Sequence, residues 1–90
     1  MDHYFVYLLL TKTNNKYISY VGYTNNLKDR LKKHNSSKGA KFTRGRSWNL
    51  IYFKKYNSKK KALQEEWKLK KNYKKRKIIK LNYRKRCQKN

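Results

Sequence analysis

Ninety residues make one domain near the lower size limit for a self-sufficient core, and two domains do not fit. Twenty-seven Lys and Arg face four acids for a formal net charge of +23, so a folded monomer repels itself and favours a polyanionic partner. The single cysteine, Cys87, excludes an internal disulfide, and His3, His34 and Cys87 lack the spacing of a structural zinc site.

Tyr4 to Leu10 (YFVYLLL) is aromatic and apolar and predicts a buried strand. Thr11 to Lys16 is polar and carries the turn signal Asn14-Asn15, after which Tyr17 to Tyr23 (YISYVGY) is again strand-like. The chain therefore opens on a β-hairpin. A turn centred near Thr13 and Asn14 sets Tyr7 opposite Tyr20, two phenols side by side on one face. Thr24 or Asn25 is placed to cap a helix from about Leu27 to His34. Its apolar stripe is Leu27 and Leu31, and Arg30 and His34 lie at the edge of that stripe, between core and cleft.

Ser36 to Ser47 (SSKGAKFTRGRS) is a loop by composition, broken by Gly39 and Gly45. It presents Lys38, Lys41, Arg44 and Arg46 around Phe42, a set suited to phosphate contacts. Trp48 to Tyr56 predicts the third strand. Ser58 caps a second helix through Ala62, Leu63, Trp67 and Leu69, ending near Asn72. Lys59, Lys60 and Lys61 fill its first turn, where positive charge opposes the helix dipole and so serves something other than stability. With Lys70 on the same helix, Lys59 and Lys60 are candidate nucleic-acid contacts. Beyond Tyr73 the chain is strongly basic. Ile78, Ile79 and Leu81 dock a short third helix, and residues 83–90 form a mobile basic tail on a domain spanning 1–82. The expected architecture is α+β and sandwich-like, a small three-stranded sheet begun by the hairpin and flanked by two to three helices.

Glu66 is the most informative position. With Ala62 at zero and about 100° per residue, Glu66 falls near 40°, Leu63 near 100° and Leu69 near 340°. A carboxylate thus sits in the apolar face, where it must be paired, protonated or bound to a cation. Two readings follow, a salt bridge to one of many lysines or a hard-cation ligand. Glu65, near 300° at the edge of that face, suits a solvated lysine partner. Asp2, Asp29, Glu65 and Glu66 are the only acids, so a metal enzyme here uses one ion.

These residues, in this order, resemble the GIY-YIG nuclease superfamily. Phe5-Val6-Tyr7 and Tyr20-Val21-Gly22 stand at the two motif tripeptides, and the likeness continues through Tyr20 to Asn35, Gly39 to Tyr52 and Ala62 to Lys71. It covers about residues 4–72, is nearest the small single-domain members and the nuclease module of structure-specific endonucleases, and extends more distantly to the excinuclease C subunit. The resemblance implies a cleft in which Glu66 holds one divalent cation, Mg²⁺ or Mn²⁺. It implies that Tyr20 orients or deprotonates the attacking water and that Tyr7 supports it. Arg30 would stabilise the scissile phosphate, with His34 relaying or accepting the proton. Phe5 replaces the glycine of the family's name, and Tyr23 stands where some branches place a lysine.

The function expected is metal-dependent DNA endonuclease activity, with structure rather than sequence preference, in repair or recombination. DNA, branched or damaged, is the expected partner, with RNA, a protein partner and a homodimer open. The alternative is a non-catalytic basic nucleic-acid-binding protein, ribosomal-like or a degenerate nuclease. Tyr4 to Leu10 is too short to span a bilayer and no signal-peptide pattern is present. No membrane partner is expected. The expected location is intracellular, in cytoplasm or nucleoid, or in a nucleus for a eukaryotic or viral source.

Overall fold

The computed structural model describes residues 3–36 and 45–88, so Lys38, Lys41 and Arg44 lie outside the described residues. Its elements are β1 (Tyr4–Thr13), β2 (Lys16–Thr24), α1 (Leu27–Asn35), β3 (Asn49–Tyr56), α2 (Lys59–Lys71) and α3 (Tyr73–Gln88). The strands form one antiparallel sheet in the order β2-β1-β3. The α+β architecture matches the expectation.

The middle position of β1 explains its unbroken apolar run. A strand covered on both faces has no reason to alternate. Val6, Leu8 and Leu10 join Val21, Ile51, Ala62 and Leu69 on one face, under α2 and α3. Tyr7 and Leu9 join Trp48 on the other, where Leu27 and Leu31 of α1 pack against them. A register shift between Leu8 and Leu9 leaves Ile51 as an extra residue of β3, so that Ile51 and Tyr52 both serve the α2 side.

The hairpin turn sits one residue later than expected. Asn14 and Asn15 have φ of 51° and 66°, both left-handed, as a two-residue type I′ turn requires and asparagine tolerates. Thr13 therefore pairs with Lys16, Tyr7 pairs with Gly22, and Tyr20 pairs with Leu9. The shift preserves parity. Tyr7 and Tyr20 stay on one face as diagonal neighbours rather than directly opposed.

Capping differs at one end and agrees at another. Asn26, rather than Thr24 or Asn25, caps α1 by accepting from the Asp29 amide at 3.1 Å, while Thr24 accepts from the Asn26 amide at 3.1 Å. Ser58 caps α2 by accepting from the Lys61 amide at 3.2 Å. Asn72 ends α2, and its side chain accepts from the Lys75 amide at 3.0 Å, so one residue closes one helix and opens the next.

The basic tail expected from residue 83 is instead helical through Gln88. Tyr83, four residues after Ile79 and on the same helix face, packs half-buried against the core. The Arg84 guanidinium lies 4.4 Å from the centre of the Tyr17 ring and ties α3 to the hairpin. Among the described residues no helix is long and apolar enough to cross a membrane.

Leu8 is 0% exposed and Leu63 is 39% exposed. Urea denaturation is expected to show a loss of about 2–5 kcal/mol for Leu8→Ala. Leu63→Ala is expected to cost less than about 1 kcal/mol.

Candidate active site

The last turn of α1 drives His34 into the sheet. Its side chain is 0% exposed, and its Nε2 lies 2.8 Å from the Tyr7 hydroxyl. The Tyr20 ring meets the His34 ring edge-on at 5.2 Å between centres. His34 is therefore a core residue and not, as its helical position suggests, one at the edge of a cleft. Leu27 and Leu31 put the α1 stripe on the Tyr7 face, and His34 continues that stripe.

Gly22 makes room for this arrangement. A Cβ on Gly22 would collide with the Tyr7 hydroxyl oxygen and come within 2.5 Å of its Cζ. The phenol thus lies flat across its own strand partner, and only a glycine leaves space for it.

Burial pushes the Tyr7 phenol up to about 12, against a smaller downward pull from the Arg30 guanidinium beside it. The charge of Glu66 and the neighbouring Tyr20 add to the rise. Burial first, and Arg30 second, hold the His34 imidazole below its ordinary value. The phenol oxygen already takes a hydrogen bond from Arg30, which favours spending its own proton on the imidazole. Tyr7 donates and Nε2 accepts, which leaves the ring proton on Nδ1.

Arg30 and Glu66 complete the group. The Arg30 Nε is buried and has no hydrogen-bond partner among the described residues. The guanidinium lines a groove of about 420 Å³ with Tyr4, Tyr23, Thr24, Asn25 and Lys59. Glu66 is 17% exposed, on the face of α2 that also carries the buried Ala62 and Leu69. Its Oε2 lies 3.8 Å from Lys70 Nζ, a long and half-solvated pair of little energetic weight. Glu65, expected as a lysine partner, pairs with Lys61 at 3.4 Å and Lys68 at 3.8 Å.

No group of three His, Cys, Asp or Glu side chains converges among the described residues, so no protein cage for a metal exists there. One half-buried carboxylate does fit a hard cation that keeps its waters and takes the rest of its ligands from a phosphate. A half-buried guanidinium lining the groove fits the oxygens of that phosphate.

Other expected contacts fall into place unevenly. Lys59 reaches the Arg30 groove, Lys60 is exposed beside it in the first turn of α2, and Lys70 points toward Glu66. Arg46 is half-buried near the base of the loop. That base is a clamp the sequence did not announce. The Trp48 amide donates to Asn35 Oδ1 at 2.6 Å and Asn35 Nδ2 donates back to the Trp48 carbonyl at 3.2 Å. Thr11 Oγ1 donates to the Ser47 carbonyl at 2.7 Å. Trp48 then stacks edge-on to Tyr20 at 6.4 Å. The clamp thereby holds both His34, next to Asn35, and Tyr20.

Residues 3–81 match the model of the GIY-YIG catalytic domain. The chain belongs to the GIY-YIG family. Its relatives include a UPF0213 protein of Oceanobacillus iheyensis, 43% identical over 70 residues that cover 77% of this chain and 78% of the relative. The UPF0213 protein YazA of Bacillus subtilis is 38% identical over 79 residues, covering 87% and 77%. A solution structure of a UPF0213 protein from Bacillus halodurans is 35% identical, covers 88% of this chain and 84% of its own, and superposes with a TM-score of 0.47.

The GIY-YIG domain is a nuclease domain of an endonuclease superfamily, which implies a nucleic-acid substrate. Two departures from the family's motif have local explanations. Phe5 packs edge-on to Phe53 of the paired strand at 6.2 Å, so the position accepts an aromatic where other members have glycine. Tyr23 is half-buried against the α2-side core, and it also lines the groove beside Arg30.

The raised Tyr7 value carries a sign for stability. The native state keeps this proton after the unfolded chain has lost its own, so folding free energy falls as pH rises from about 10 toward about 12. The loss is expected to approach 2–3 kcal/mol, on the order of two pKa units. Tyr7→Phe should remove this part of the alkaline slope in denaturation curves. Gly22→Ala should displace the phenol, lower stability by about 1–3 kcal/mol, and shift the Tyr7 and His34 side-chain NMR resonances.

Proposed function

We propose that this chain is a divalent-metal-dependent DNA endonuclease, working with one Mg²⁺ or Mn²⁺ at Glu66 and preferring DNA structure over sequence. The observation that carries this reading is the Tyr7 hydroxyl bonded to His34 Nε2 with the Tyr20 ring edge-on to that imidazole, and the Arg30 guanidinium beside the phenol. Bacterial relatives make the cytoplasm, where the nucleoid lies, the proposed location.

In this reading water adds to phosphorus as the P–O bond to the leaving strand breaks. Tyr20 orients the water and, as the phenolate left when its own proton passes to solvent, takes the water's proton, while the leaving oxygen takes a proton from solvent. Arg30 pairs with the phosphate oxygens, where negative charge grows in the transition state. Tyr7 is too weak an acid to lose its own proton near neutrality. It serves as a fixed hydroxyl held in place by His34 Nε2. His34 must stay neutral to accept that bond, which makes it a positioning residue rather than the proton acceptor. A bound cation would supply Lewis-acid stabilisation of the phosphate. Lys59, Lys60 and Lys70, together with Lys38, Lys41, Arg44 and Arg46, supply sequence-independent phosphate contacts.

One observation favours the non-catalytic alternative. Lys70 already faces Glu66, as it would if that carboxylate served only an ion pair. Lys70 is exposed and its pair is long, so a cation of higher charge would displace it at small cost.

The deciding measurement is Mg²⁺-dependent nicking of plasmid and cleavage of a panel of branched DNAs. Glu66→Ala, Tyr20→Phe and Arg30→Ala are each expected to lower the rate at least about 100-fold. Binding by Glu66→Ala should stay within about twofold of the parent, and a chelator should abolish cutting. Activity should also fall on the acid side as His34 takes up a proton, since the protonated ring no longer accepts from Tyr7. Undiminished cutting by Glu66→Ala would refute the mechanism.

A further inference from the structure

The face of α2 that turns away from the core carries a feature the cleft does not use. Trp67 is 59% exposed and Leu63, one turn earlier, is 39% exposed. With Gln64 and Lys68 they line a shallow apolar recess of about 580 Å³. The Lys71 ammonium sits 4.6 Å from the centre of the Trp67 ring and braces it. The other tryptophan, Trp48, is 3% exposed.

Helical spacing connects this recess to the cleft. At about 100° per residue, with Ala62 at zero, Glu66 lies near 40°, Lys59 near 60°, Lys70 near 80°, Leu63 near 100° and Trp67 near 140°. Turning outward from the carboxylate, the helix surface therefore presents two lysines and then the apolar pair. Lys60 and Lys71, near 160° and 180°, close the far side. Cations on both sides of an exposed aromatic suit a polyanion whose repeating unit also has a flat apolar surface.

We propose that Trp67 and Leu63 form a stacking subsite for an unpaired base of the nucleic acid whose backbone enters the Glu66 cleft. A ring braced by a cation accepts a base by π-stacking while the flanking lysines meet the phosphates. A base within a duplex has no free face to offer, so the subsite selects single-stranded or splayed substrate. A second copy of the chain is disfavoured here, because facing two such surfaces brings lysines against lysines at a net charge of +23 per copy. The role beside a cutting centre rests on the nuclease reading above. The stacking itself does not.

The test is done on the full chain in a chelating buffer, where no cutting occurs. Short single-stranded oligo(dT) and a duplex of equal length are titrated against intrinsic tryptophan fluorescence and, separately, by anisotropy of labelled DNA. Oligo(dT) is expected to quench the emission of Trp67, while the duplex quenches it little. Trp67→Ala is expected to weaken oligo(dT) binding about tenfold and duplex binding less than about twofold. Its salt slope should be unchanged, since no phosphate contact is lost. Trp67→Phe should restore most of the affinity. Equal quenching by both DNAs, equal losses for both, or emission that depends on protein concentration alone would overturn the subsite. Quenching is read on the unaltered chain, so the result holds even if Trp67→Ala folds poorly. Loss of cutting with the stacking intact would refute the nuclease reading alone, and cutting without selective quenching would refute the subsite alone.

Discussion

The hydrogen bond from the Tyr7 hydroxyl to His34 Nε2 is the constraint on which the rest of this structure turns. It joins the middle strand to the end of α1 in a region with almost no solvent access. Either group left alone there would cost about 1–3 kcal/mol, so the two are kept together by the penalty of parting as much as by attraction. The bond requires a neutral imidazole, a protonated phenol and an empty place where the side chain of residue 22 would be. Burial provides the first two, and glycine provides the third.

A sheet covered on both sides makes the grouping achievable in so short a chain. Arg30 and His34 come from α1, which lies on the Tyr7 and Leu9 face. Glu66 comes from α2, whose Ala62 and Leu69 cover the face of Val6 and Leu8. Charge reaches across the sheet, so the Tyr7 phenol is pulled down by Arg30 on its own face and pushed up slightly by Glu66 from the other. In this chain the two motif tripeptides are a strand pair whose phenols, Tyr7 and Tyr20, share one face.

Much of this was legible in the sequence. Strand-like runs on either side of two asparagines, the serine before the second helix, and a carboxylate at an apolar angle of that helix each carry a local signal. Register was not legible to the residue, since Asn14-Asn15 and Thr13-Asn14 are both plausible turns until the left-handed pair is seen. The misplacement did little harm, because it moved the pairing by an even number and kept the phenols together. His34 was read as peripheral because its partner is 27 residues away, and no local pattern reports such a contact. The length of α3 was hidden for a different reason. Its docking residues, Ile79 and Tyr83, are outnumbered by lysines and arginines that point to solvent, so composition suggested a tail where spacing would have suggested a helix. The Asn35 side chain bonds the backbone of Trp48, 13 residues on, and a backbone partner at that distance leaves no mark in the sequence.

Asn35 and Trp48, joined by a reciprocal pair of bonds, and Ser47, held by Thr11, are anchored to the domain by contacts of their own. The histidine and phenols behind these anchors are held against one another and against Trp48 by contacts among described residues. A single asparagine side chain, answering both backbone polar groups of one distant residue, thereby does for the α1 end and the start of β3 what a disulfide does elsewhere: it pins two chain segments to one another.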